Sequence, residues 1–142
     1  MKRRTDVVDL KVAVANSAGQ AGAITGTKIN ATGFSRAMFV FQFGANSGTT
    51  AALSSNIGIW QASTSGATFA SVATAVLSAV TSGVLSNNVM VIDMPISGGT
   101  PWLLVSGGSM LSTAIAHSCV VELYNGINRP PVTQTPQQIV VI

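Results

Sequence analysis

Phe39, Phe41 and Phe43, with Ala37 ahead of them, occupy every second position of one short segment. An extended strand puts alternate side chains on one face, whereas a helix would scatter these four around its axis. Three phenyl rings on one side of a strand are a core signal. Residues 36–43 are therefore expected to be a buried strand. Its other side carries Met38, Val40 and Gln42, so cover is expected on both faces.

The same period of two recurs along the chain. Val8, Leu10, Val12 and Val14 form one apolar face, with Asp9, Lys11 and Ala13 pointing the other way. A turn follows at 16–22, then a second short strand over 23–30. Residues 57–61 and 89–94 read as further strands, the latter ended by Pro95 and the Ser97-Gly98-Gly99 turn. Residues 102–106 are another, closed by Gly107-Gly108. The longest alternation runs from Thr113 to Tyr124, with His117, Cys119, Val121 and Leu123 on one face. Gly44 to Ser55 reads as a loop. Only around 67–77 does the period change: Phe69, Val72, Ala73 and Val76 recur at three and four, predicting one or two helical turns.

About eight short strands, Gly/Ser/Asn turns and at most one short helix predict an all-β, antiparallel β-sandwich. A jelly roll is among the arrangements this count allows. The one boundary falls near Gly126. Residues 1–125 form the sandwich domain, and 126–142 an extended arm in which Pro130, Pro131 and Pro136 favour polyproline-type backbone. The arm closes on Ile139, Val140, Val141 and Ile142, a bare apolar strand former. Such a strand either folds back onto its own sheet or adds to a neighbour's. About 3 Å per residue of semi-rigid reach favours the neighbour.

Charge points the same way. Only 8% of residues are charged, and none lies between Arg36 and Asp93. A freely diffusing monomer normally keeps a mixed-charge surface. Neutral hydroxyls and amides lose less on desolvation, because no ion is stripped of water. The composition points to faces covered by copies of the chain or by a partner, the alternative being a secreted domain with a Ser/Thr/Gly-rich surface. The net charge of +3 is too small and too scattered for nucleic acid, with Lys2, Arg3 and Arg4 partly offset by Asp6 and Asp9. No apolar run follows those basic residues as in a signal peptide. The stretch 68–85 is too rich in Ser and Thr for a membrane span. A single Cys119 allows no internal disulfide, which fits a reducing cytoplasm.

Little in the chain can do chemistry. It holds one His, one Cys and four acidic residues. His117 and Cys119 share a strand face about 7 Å apart, too far for a direct thiolate–imidazole bond. Asp6, Asp9 and Asp93 lack calcium-loop spacing. No catalytic residue, metal site, cofactor site or small-molecule substrate is expected. Trp60 and Trp102 are the candidates for stacking on a sugar, and equally for a core or interface.

Taken together, VVDLKVAVA, AITGTKINATGF before the Phe-rich strand, Gly44-Ala45, TFASV at 68–72, the late strand ending ELYNG, and Pro130-Pro131 are similar to a family of small tailed-bacteriophage virion proteins. The resemblance covers residues 5 to 131. It implies a subunit that forms oligomers, as a trimer, and decorates or cements a capsid made of the major capsid protein. It also implies a place in the virion, assembled in the host cytoplasm. The tail beyond Pro131 and the low charge depart from the looser family pattern and suggest an embedded subunit. The expected contacts are Lys2, Arg3 and Arg4 at one end, and Arg129, Pro130, Pro131 and Ile139 to Ile142 at the other. A glycan-binding module or adhesin using Trp60 and Trp102 is the alternative.

Overall fold

A computed structural model describes residues 9–17, 22–44, 55–78, 88–110, 116–125 and 138–141. These residues form ten strands and no helix: β1 Asp9–Ser17, β2 Gly22–Thr25, β3 Ile29–Asn30, β4 Arg36–Phe43, β5 Ile57–Ala62, β6 Ala70–Leu77, β7 Val89–Pro95, β8 Trp102–Met110, β9 His117–Tyr124 and β10 Gln138–Val141. Two sheets hold them. Sheet A runs β1-β9-β4-β7-β10, and sheet B runs β2-β8-β5-β6 with β3 also on β8. All pairs are antiparallel except β7–β10.

The expected all-β sandwich is present. Ala37, Phe39, Phe41 and Phe43 of sheet A meet Ile57, Ile59, Leu103 and Val105 of sheet B in one buried cluster, joined by Met90, Ile92, Met94, Cys119, Val121 and Leu123. Each ring in that layer contributes roughly 1.5–3 kcal/mol of burial. Pairing is nested: β1 with β9, β2 with β8, β4 with β7, and β5 with β6. The chain thus behaves as one long hairpin folded over, with β4–β9 and β5–β8 closing the sheets.

Three local expectations are corrected, each by a break in the pairing register. Residues 70–77 form β6 rather than helical turns. Gly58 pairs with Val76 but Trp60 with Ser71, so β6 carries surplus residues there. The irregularity spaces its inward residues Val72 and Ala75 three apart, which imitates a helix. Second, β8 does not stop at Ser106. Gly107 and Gly108, at φ 102° and 67°, form a bulge inside it. Only glycine fits at Gly107, since a Cβ would meet the Asn56 carbonyl oxygen at 2.6 Å. Third, the span 23–30 is two strands, β2 and β3. Gly26 lies between them, where a Cβ would come 2.5 Å from the Ala13 oxygen.

The expected loop at 44–55 and the start of the 113–124 strand lie largely outside the described residues. Within β9 the expected alternation holds: His117, Cys119, Val121 and Leu123 are buried.

Candidate assembly surface

A sandwich normally turns polar residues outward. Sheet A does not. The register aligns Val12 with Val120, Val120 with Val40, Val40 with Val91, and Val91 with Ile139. A β-branched residue therefore occupies the same level on all five strands. The next level reads Leu10, Glu122, Met38, Asp93 and Val141. Because Phe39, Phe41, Ile92 and Val121 face the core, their neighbours on β9, β4 and β7 face outward.

This outer face changes character across the sheet. Towards β7, Met38, Val89, Val91 and Tyr124 make a second buried apolar cluster with Val40 against it. The expected double cover of β4 is thus observed at Met38. Towards β1 the face is open: Leu10 is 65% and Val12 58% exposed. Here the alternation of β1 misleads. Leu10, Val12 and Val14 share a face only in a regular strand. A register shift at Ala13 sets Val12 opposite Val120 but Val14 opposite the core residue Cys119. Val14 and Ala13 are buried, while Leu10 and Val12 point out.

The charges of β1 pair with each other. Lys11 Nζ lies 2.8 Å from Asp9 Oδ2, both partly exposed. Lys11 and Asp9 stand opposite the core residues Val121 and Leu123, so their parity is the inner one. Inward-pointing charge on an edge strand discourages strand-to-strand association at that edge. The first half of β1 is thus inverted, with charge towards the core side and aliphatic surface towards solvent.

One polar network anchors the face. Asp93 is 2% exposed. Its Oδ1 accepts from Tyr124 Oη at 2.7 Å and from Arg36 Nε at 3.1 Å, with the Arg36 terminal nitrogen also at 3.1 Å. Arg36 Nε also reaches the Tyr124 hydroxyl at 3.1 Å. Burial lowers the Arg36 guanidinium, but its bonds to Tyr124 and Asp93 outweigh this and raise it overall. Burial, then donation to Asp93, pushes the Tyr124 phenol up to about 12. Burial also raises the Glu122 carboxyl, which sits among Leu10 and Met38 on the second level.

The Tyr124 shift has a testable sign. A phenol whose folded value exceeds its unfolded value of about 10 stabilises the fold below that pH. That contribution disappears as pH rises through about 12. Tyr124→Phe is expected to cost about 1–2 kcal/mol at pH 7. In denaturant titrations the gap between the two proteins should be constant up to pH about 10 and close above it.

The two Trp residues belong to sheet B. Trp60 pairs with Leu104, and Ala62 with Trp102, which makes the two Trp diagonal neighbours on the outer face of sheet B, roughly 7–8 Å apart. Trp60 is 36% exposed, and its indole nitrogen lies 3.9 Å from where a Gly58 Cβ would stand. Asn30 pairs with Trp102, and Ser71 with Trp60.

Of the other expected contacts, Ile139, Val140 and Val141 lie in β10, which pairs in parallel with β7 of the same chain. Lys2, Arg3, Arg4, Arg129, Pro130, Pro131 and Ile142 lie outside the described residues. His117 and Cys119 sit at the buried levels of β9, and burial pushes the Cys119 thiol well above its usual value, which disfavours the reactive thiolate. A cleft of about 320 Å³ between β6 and β7, lined by Gln61, Val72, Thr74, Met94, Ile96 and Ser97, has no ionisable side chain among those residues. Among the described residues no group of His, Cys, Asp or Glu is arranged to hold a metal ion.

Leu10 and Val12 as outward residues escaped the sequence reading, because the bulge at Ala13 leaves no mark in the alternation. The chain matches no protein-family model and no curated protein.

Proposed function

We propose that the chain is a structural virion subunit, which forms oligomers and decorates or cements a bacteriophage capsid without catalysing a reaction. The observation that carries this reading is the outward aliphatic face of sheet A, open at Leu10 and Val12. Leu10 and Val12, exposed next to partly buried Val120 and Val40, offer apolar surface that suits protein contact. The lack of charge from 37 to 92 supports the same reading, since little ionic solvation is lost when neighbours pack.

The nested pairing supports a jelly roll, an architecture shared by viral capsid and lectin domains. That is support by analogy of fold, and the surface carries the argument. Binding to assembled lattice but not to free coat subunits stabilises a shell by mass action. At a free concentration one hundred times Kd, the gain is about 2.7 kcal/mol per site.

The test is co-sedimentation of the purified protein with shells of major capsid protein that lack it, followed by their thermal disruption. The protein is expected to pellet with the shells and raise their disruption temperature. Shells that neither bind it nor gain stability contradict the reading.

The Trp60–Trp102 pair favours a second reading, a glycan-binding module. Two indoles on one face, with Asn30 and Ser71 as register neighbours, suit a stacked neutral sugar. A glycan array distinguishes the two. Retention of a glycan that is lost in Trp60→Ala and Trp102→Ala favours the module, and no retention removes it.

A further inference from the structure

No strand of sheet B carries a charged residue. Among the described residues, Asp9, Lys11, Arg36, Asp93 and Glu122 all belong to sheet A, so Lys28, just ahead of β3, is the one ion beside sheet B. Lys28 and Asn30 flank the core residue Ile29, so both face outward, and both are exposed. Lys28 Nζ donates to the Ser65 carbonyl oxygen at 2.6 Å and stands 5.4 Å from the centre of the Phe69 ring. Lys28 comes from the β3 side of the sheet and Phe69 from the β6 side. Their meeting point therefore lies over β8 and β5, the strands that carry Trp102 and Trp60.

Ala62 shows that these side chains form one surface. It pairs with Trp102 and shares the outward parity of Trp60, yet it is 3% exposed and is not part of the inter-sheet core cluster. The larger side chains around it close over it. Asn30 borders this platform beside Trp102. Its Oδ1 accepts from Thr32 N at 3.0 Å and from Thr32 Oγ1 at 2.7 Å, which fixes the amide and leaves its Nδ2 group to donate.

Aromatic faces bind a sugar ring by stacking, and neutral donors at their rim orient its hydroxyls. The Lys28 ammonium adds a subsite for an anion. It has three N–H donors, one of them directed at Ser65. The ion pairs among the described residues are Lys11–Asp9 and Arg36–Asp93, so an anion arriving at Lys28 displaces no carboxylate. A single cation does not suit a nucleic-acid strand, which brings a phosphate with every base.

We propose that the outer face of sheet B binds an acidic oligosaccharide. A neutral ring stacks on the Trp60–Trp102 pair, and Lys28 holds the anionic group of the adjoining residue, a carboxylate or a sulfate ester. This rests on the glycan-binding reading and deepens it by naming the class of glycan. It uses no residue of sheet A, so it does not compete with the assembly face.

The full-length protein is applied to an array of neutral, uronic- or sialic-acid-containing and sulfated oligosaccharides, with a single-stranded DNA oligonucleotide as a separate probe. The glycans retained most strongly are expected to carry an acidic residue beside a neutral one, and the carboxylated and sulfated arms identify the anion. In titration calorimetry with a retained acidic glycan, Lys28→Met should weaken binding about 10-fold or more, while Lys28→Arg should keep most of it. Trp60→Ala or Trp102→Ala should abolish it. Added salt should weaken binding to the unaltered protein but not to Lys28→Met. Position 28 is exposed, and circular dichroism checks that both of its variants fold.

Retention of neutral glycans alone, or equal affinity of the unaltered protein and Lys28→Met for the acidic glycan, overturns the acidic assignment and leaves the neutral-sugar reading standing. Binding of the DNA through the same residues overturns the sugar class itself. No retention of any glycan overturns both.

Discussion

Replacing Arg36 with alanine is expected to destabilise the fold by about 3–5 kcal/mol, because it leaves the buried Asp93 carboxylate without its counter-charge. Asp93 is 2% exposed, and its Oδ1 takes bonds from Arg36 and Tyr124. With Arg36 gone, only the Tyr124 hydroxyl remains of that set, and a neutral donor does not offset the cost of an ion held away from water. A domain of this size has about 5–15 kcal/mol in all, so the loss is a large fraction of its stability.

The reverse truncation is milder. Asp93→Asn leaves Arg36, whose side chain is 19% exposed and can be solvated. A cost of about 1–2 kcal/mol is expected. The double variant Arg36→Ala, Asp93→Asn should therefore be more stable than Arg36→Ala alone, which a simple sum of losses does not give. Urea unfolding midpoints of the three variants check this. A double variant less stable than either single one contradicts the account of a buried, compensated charge.

The second large effect concerns assembly rather than folding. Leu10→Asp with Val12→Asp places two charges on the open part of the sheet A face. Both positions are more than half exposed, so folding stability should change by only about 0.5 kcal/mol per site. In an assembly that buries this face the same carboxylates would be stripped of water beside Glu122, already a raised carboxyl. Subunit affinity is expected to fall at least 100-fold, equivalent to about 2.7 kcal/mol. Leu10→Ser with Val12→Ser should fall less, since it removes apolar area without adding charge. Sedimentation across a concentration series separates the effects, with circular dichroism confirming the unchanged fold.

How far the sequence could be read depended on whether pairing was regular. The Phe39–Phe41–Phe43 row needed nothing beyond the period of two, and its core position follows from it. β9 was legible for the same reason. The errors fall where a bulge changes parity: at β6, where irregular pairing imitated a helical spacing, and at Gly107-Gly108, where a bulge resembled a turn. At β1 the shift at Ala13 turned Leu10 and Val12 outward, away from Val14 with which the alternation had grouped them. Bulges arise from how two strands meet, and one strand's residue pattern does not record that.

The assembly surface was half visible. Low charge and the double apolar pattern of Met38 and Val40 on β4 pointed to a covered outer face, but not to which edge stays open. The last strand was legible as a strand. Its partner was not, because Ile139 and Val91 are joined by a non-local pairing. Trp60 and Trp102 were singled out separately, and only the β5–β8 register brings them together.

Light scattering coupled to size exclusion, run on the full-length protein alongside the Leu10→Asp, Val12→Asp variant, tests most directly whether neighbours cover the outer face of sheet A. The account predicts a defined oligomer for the first and a folded, smaller species for the second. A folded monomer in both cases, at concentrations well above those of an assembling shell, would contradict it.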